Sequence, residues 1–80
     1  MRQPIEERIV MDPRIMAGKP VIRGTRIPVE LIVRMLAQGI PQSDILKEYP
    51  RLQTEDISAA LDYAARVLAH EAVFPLSVPA

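Results

Sequence analysis

Apolar positions recur at two different spacings along this chain, and the change falls near Pro28. Before it the runs are short. Ile9, Val10 and Met11 lie between Arg8 and the Asp12-Pro13 break, which predicts a brief strand ended by a turn. The stretch "PVIRGTRIP" (residues 20–28) predicts a two-residue hairpin, with Gly24 at the first central position as a type II′ turn requires. That register sets Ile22 opposite Ile27 and Arg23 opposite Arg26. Pairing "RIVMD" with "TRIPV" is the alternative. The pattern leaves this choice open, and also whether the strands pair within one chain or between two.

From Pro28 onward the spacing is helical. "PVELIVRMLAQG" starts with proline at N1, carries Ile32, Met35 and Leu36 with Val29 and Val33 alongside, and stops at Gly39 as C′. "PQSDILKEYP" predicts a short helix with Ile45, Leu46 and Tyr49 inward, stopped by Pro50. A third helix runs from about Gln53 or Thr54 to about His70. Its predicted inner face is Ile57, Leu61, Ala64, Ala65 and Leu68, with Glu55 and Asp56 in the first turn where carboxylates complement the helix dipole. The fold class is therefore mainly α, a short N-terminal β segment or hairpin followed by three helices. Two short helices before a longer one outline a helix-turn-helix, although any compact three-helix bundle shows the same period. The expected division is a flexible N-terminus over 1–7, one domain over 8–70 and an apolar tail over 71–80.

The length of 80 residues changes this picture in one respect. A domain so small buries only about 60% of its unfolded surface, and no cysteine is present to staple it. A homodimer is expected because a partner chain supplies the missing buried area. The apolar fraction of 49% excludes a disordered chain. No apolar run is long enough to span a membrane and no signal-peptide pattern opens the chain. The lack of cysteine fits a reducing cytoplasm.

Net charge is zero but unevenly spread. Residues 1–34 hold seven Lys/Arg against four Asp/Glu, a surplus of three positive charges; residues 35–80 hold three against six, the reverse. Such asymmetry speaks of partners or self-association.

The segments "RIVMDPRIMAGKPVIRGTRIPVELIV", "LAQGIPQSDILKEYPRL" and "EDISAALDYAA" resemble the bacterial family called domain of unknown function 433, from about Arg8 to about Val67. Its most specific piece here is "GKPVIRGTRIPV". The resemblance implies a short β segment followed by a three-helix homeodomain-like helix-turn-helix. It also implies a VapB-like antitoxin encoded beside a PIN-like nuclease toxin. The chain departs from the family pattern at Gln53, where threonine is favoured, so the cap of the third helix is expected to be shifted or weaker. The tail "HEAVFPLSVPA" lies outside the pattern.

Candidate site residues follow from charge and exposure. Lys19, Arg23, Thr25, Arg26 and Arg34 form a basic turn and helix start suited to an anionic partner, either DNA or a protein carboxylate cluster, since arginine contacts both bidentately. The bland alternative is a pair of arginines at a solvated hairpin tip. Against DNA reading by the third helix stand Glu55 and Asp56 at its N-terminus, with Asp62 further along, because carboxylates repel phosphate. Phe74, Leu76 and Val78 make the tail a second toxin-binding candidate, its alternative being that Phe74 folds back on the core. His70 stands alone, so no metal and no cofactor are expected. No nucleophile elbow, phosphate loop or triad spacing occurs, and an enzyme is not expected.

Taken together, the expectation is an antitoxin that neutralises a PIN-like nuclease and binds its own operator DNA as a dimer. The alternatives are a stand-alone DNA-binding regulator and an adaptor that docks through its apolar tail.

Overall fold

The computed structural model describes residues 5–70, with side chains from Glu7 onward. In chain order the elements are α1 (Ile5–Arg8), β1 (Ile9–Val10), a 3-10 turn (Met16–Gly18), β2 (Val21–Ile22), α2 (Val29–Ala37), α3 (Gln42–Glu48) and α4 (Thr54–His70). The fold is mainly helical, three principal helices behind a short two-stranded sheet. The helical turn α1 falls in the stretch for which the sequence pattern predicted no element.

β1 and β2 pair antiparallel within one chain, Ile9 opposite Ile22 and Val10 opposite Val21. "RIVMD" thus pairs with "VI", and its alternative pairing with "TRIPV" is not the one formed. Val21 also bridges Pro28, and the Ile22 N–H donates to the Ile27 carbonyl at 3.0 Å. The expected register of Ile22 against Ile27 therefore holds, but the turn differs. The Thr25 N–H donates to the Ile22 carbonyl at 3.0 Å, so Gly24, with φ +79°, is the second central residue of the turn, not the first. The cause is competition for one donor. The Arg23 N–H goes to the Arg8 carbonyl at 2.8 Å, so it cannot pair with Arg26 across a two-residue turn. The Thr25 hydroxyl closes the wider loop, donating to the Ile22 carbonyl at 2.7 Å and accepting from the Ile27 N–H at 3.0 Å.

Pro28 is the N-cap of α2, one place earlier than the N1 position expected; its φ of −68° and ψ of 143° are extended. The other end is as read. Gly39 takes φ +84°, and its N–H donates to the Leu36 carbonyl while that of Ile40 reaches Met35, the paired bonds of a Schellman motif. Ile40 then packs on the core. α3 ends at Glu48, with Tyr49 as its C-cap before Pro50.

The sheet and the three principal helices each contribute apolar anchors to a single core: Ile9 and Ile22 from the sheet, Ile32, Ile45 and Ile57 from the helices, with Leu52 from the loop before α4. Each fully buried side chain of this size contributes roughly 1.5–3 kcal/mol. The inner face of α4 departs from expectation. Ile57, Ala59 and Ala60 are buried, yet Leu61 is 43% and Leu68 60% exposed, and Ala65 is exposed as well. At 3.6 residues per turn Leu61, Ala65 and Leu68 lie to one side of the face that Asp56, Ala60 and Ala64 turn inward, and α4, with seventeen residues, is also longer than the nine-residue α2.

Candidate functional site

The loop from Arg23 to Arg26 is held in place by Glu7, by Arg51 and by its own Thr25. The Arg23 Nε donates to the Glu7 carbonyl. Thr25 is half-buried and engaged in closing the loop, so its part is structural. Arg51, from the connector between α3 and α4, donates through Nη1 to the Gly24 carbonyl at 3.1 Å. Arg26 and Arg51 are both exposed and line an open depression of about 410 Å³ with Gly24 and Thr25. No carboxylate lines it. On the other side Arg23 and Arg51 border a cleft of about 470 Å³ that also holds Arg8, Gln53 and Asp56.

Within that cleft Arg8 and Asp56 form the most buried ion pair among those of the described residues. The Arg8 Nη1 lies 2.8 Å from the Asp56 Oδ1, with side chains only 13% and 8% exposed. The Asp56 Oδ2 accepts the backbone N–H of Gln53, the residue before α4, at 2.9 Å. This is the backward limb of a capping box, with glutamine standing where serine or threonine usually supplies the forward limb. The cap is thus made from inside the helix, which compensates for the missing threonine. The Arg8 Nε is buried and has no hydrogen-bond partner.

Asp56 is therefore not a surface charge. Of the two first-turn acids expected to repel DNA, Glu55 is exposed while Asp56 is neutralised by an arginine from the other end of the chain. Thr54 and Ser58 are exposed beside Glu55.

The five sequence-predicted residues divide in space. Arg23, Thr25 and Arg26 share the loop. Lys19 and Arg34 instead border a groove between α2 and α4, where Arg34 makes an (i, i+4) pair with Glu30 at 3.0 Å. Phe74, Leu76 and Val78 lie outside the described residues. Two residues escaped the sequence pattern: Arg51, whose loop contact is 27 positions away, and Arg8, whose partner is 48 away. The signal available for Arg51 was its place in the "YPRL" connector, a cation in the loop between two helices.

A second, smaller electrostatic unit closes the turn after β1. The Asp12 Oδ1 accepts the Arg14 backbone N–H at 2.9 Å, and Oδ2 lies 3.0 Å from the Arg14 Nη2. The Arg14 guanidinium holds the Asp12 carboxyl below its ordinary range. His70 is exposed at the end of α4. Among the described residues no three His, Cys, Asp or Glu side chains gather in a way that could hold a metal ion, and no helix is long and apolar enough to cross a membrane.

Comparison with known proteins places residues 9–64 within the pattern of a family described as "Protein of unknown function (DUF433)". An uncharacterized protein of Sinorhizobium fredii, y4eO, is 38% identical over 58 residues, covering 72% of this chain and 26% of that protein. An uncharacterized protein of Archaeoglobus fulgidus is 62% identical over 29 residues, covering 36% of this chain and 81% of its own. The crystal structure of a member from Anabaena variabilis superposes with a TM-score of 0.74 at 37% identity, over 81% of this chain and 64% of the other. The chain spans about a quarter of the length of the first of these relatives.

Proposed function

This chain belongs to the DUF433 family, and from that premise we propose that it is an antitoxin-like cytoplasmic protein that binds and neutralises a PIN-like nuclease. It has no catalysis of its own in this reading, and it binds its operator DNA as a dimer. One observation supports it above the others. Arg26 and Arg51 are both exposed around a loop whose depression contains no carboxylate, with Arg23 on its other flank.

A PIN-like active site gathers carboxylates around a metal ion. A guanidinium presented on a rigid loop takes the place of that cation and pairs bidentately with the carboxylates. The loop is rigid for a reason visible in its bonds: Thr25 ties both ends, and Arg51 ties the tip to the helical body. An arginine on such a support loses little freedom on binding, which favours affinity.

A second reading, a stand-alone DNA-binding regulator, gains from the state of Asp56. With that carboxylate buried against Arg8, the first turn of α4 presents one exposed acid to phosphate, not two.

The deciding experiment expresses the neighbouring reading frame of the source genome in a bacterial host, alone and with this chain. Toxicity alone and growth together establish the antitoxin role. Arg23→Ala combined with Arg26→Ala should then abolish rescue while circular dichroism stays unchanged. Rescue that survives the double substitution sinks the arginine plug. A harmless neighbour, together with DNA binding by this chain alone whose affinity falls steeply with salt, moves the function to the regulator.

A further inference from the structure

Most arginines among the described residues are engaged within the chain. Arg8 is paired with Asp56, Arg14 with Asp12, Arg34 with Glu30 and Arg66 with Asp62, and the Arg23 Nε donates to the Glu7 carbonyl. Arg26 and Arg51 differ. Arg26 is exposed and has no hydrogen-bond or ion-pair partner among the described residues. Arg51 gives Nη1 to the Gly24 carbonyl at 3.1 Å and makes no ion pair with them.

These two guanidinium groups come from different parts of the fold, the loop after β2 and the connector between α3 and α4, yet border one depression of about 410 Å³. Like charges brought to one place repel, and an anion between them removes that cost. The opposite wall is the half-buried Ile15. Its N–H donates to the Asp12 carbonyl at 2.8 Å and its carbonyl accepts the Gly18 N–H at 3.0 Å, while Met16 and Ala17 between them take φ of 51° and 56°. Residues with side chains hold that left-handed conformation only where their surroundings impose it. The apolar wall is thus set in place before any ligand arrives.

We propose that this depression is a clamp for an acidic side chain of a partner protein, its carboxylate held by Arg26 and Arg51 and its methylenes lying on Ile15. This deepens the reading above, on which it rests for the partner's identity, and it makes Arg51 a contact residue alongside Arg26. Two observations favour a carboxylate over nucleic-acid phosphate. Affinity for a duplex grows with the number of phosphates neutralised, whereas the depression offers two cations on a chain of zero net charge. An apolar wall also suits the stem of a glutamate, and a phosphodiester has no use for it.

The test is an NMR titration of the full chain, following the Nε–H signals of Arg26 and Arg51 at constant ionic strength. The probes are a capped peptide with two adjacent glutamates, its glutamine counterpart, inorganic phosphate and duplex DNA. Both signals should shift with the glutamate peptide and stay put with the glutamine one. Arg26→Ala, which removes no partner of another described side chain, and Arg51→Gln should each weaken peptide binding about fivefold with circular dichroism unchanged. No shift up to about 50 mM glutamate peptide overturns the clamp, since a pair of exposed charge contacts registers at that concentration. A stronger response to phosphate or to DNA overturns the carboxylate assignment, and undiminished binding by Arg51→Gln overturns the role of Arg51. No nuclease is needed, so the two readings fail separately. Peptide binding beside a harmless neighbouring reading frame leaves the clamp standing without the antitoxin, and growth rescue beside a flat titration does the reverse.

Discussion

The first half of α4 is anchored to the rest of the chain, and the second half is not. From Thr54 to Ala60 the helix buries Ile57, Ala59 and Ala60, is capped by its own Asp56, and is tied through Asp56 to Arg8 near the start of the chain. From Ala65 to His70 every residue is exposed, although the same apolar period runs on through Val67 and Leu68. Periodicity says that a face wants to be buried; it does not say against what. The first half finds its partners within the chain because α2, α3 and the sheet converge there. The second half extends past them, and a helix end of that kind gains its stability from whatever packs on it.

The largest expected effect breaks this comparison directly. Ile57→Ala, at a site with no exposed surface, should cost about 2–5 kcal/mol through lost transfer energy and a residual cavity. Leu68→Ala in the other half should cost within about 0.5 kcal/mol under conditions where the chain is monomeric. Urea unfolding of both variants checks this, and equal losses would mean that the two halves are buried alike.

Next in size is the tie itself. Asp56→Ala leaves the Arg8 guanidinium buried without its counter-charge and removes the acceptor for the Gln53 N–H, which should cost about 3 kcal/mol. Arg8→Ala should cost a similar amount, and the double variant much less than the sum, since the two residues share one interaction. A cycle of unfolding free energies with no coupling would show that the pair contributes nothing beyond its separate packing.

The smallest effect lies in the turn after β1. Asp12 ionises at a lower pH in the folded chain than its ordinary value of 3.8 because Arg14 favours the carboxylate. Its contribution is therefore fully present above about pH 4 and is lost as the pH falls through the depressed folded-state value. In an NMR titration, Arg14→Gln should move the Asp12 carboxyl back up toward 3.8. An unmoved titration would show that the backbone N–H of Arg14 alone holds it down.

Local chemistry made much of this molecule legible. Gly39 closes α2 with φ +84° because a residue without a side chain adopts that conformation at no steric cost. Pro50 stops α3, and the 3.6-residue period marks α4 to within a residue of its observed bounds. The loop of Arg23 and Arg26 stood out as basic for the same reason, since charge density along the chain is a local property. The register of Ile22 against Ile27 was legible too, but not the turn between them. That depended on Arg8, which is far away in sequence and takes the Arg23 N–H.

What only the tertiary structure decided shares a single physical cause: competition for partners at long sequence separation. Whether Asp56 repels phosphate or lies buried was settled by Arg8, 48 positions away. Whether the basic loop has two or three arginines was settled by Arg51, 27 positions from the carbonyl it holds. Whether Leu68 joins the core was settled by the packing of α2 against α4, which leaves an open groove between them at that point. The chain's pattern determined which helices form, where they cap and which charges cluster. Folding then determined which of those charges and apolar faces remain available to a partner, because burial and ion pairing depend on neighbours that no local stretch contains.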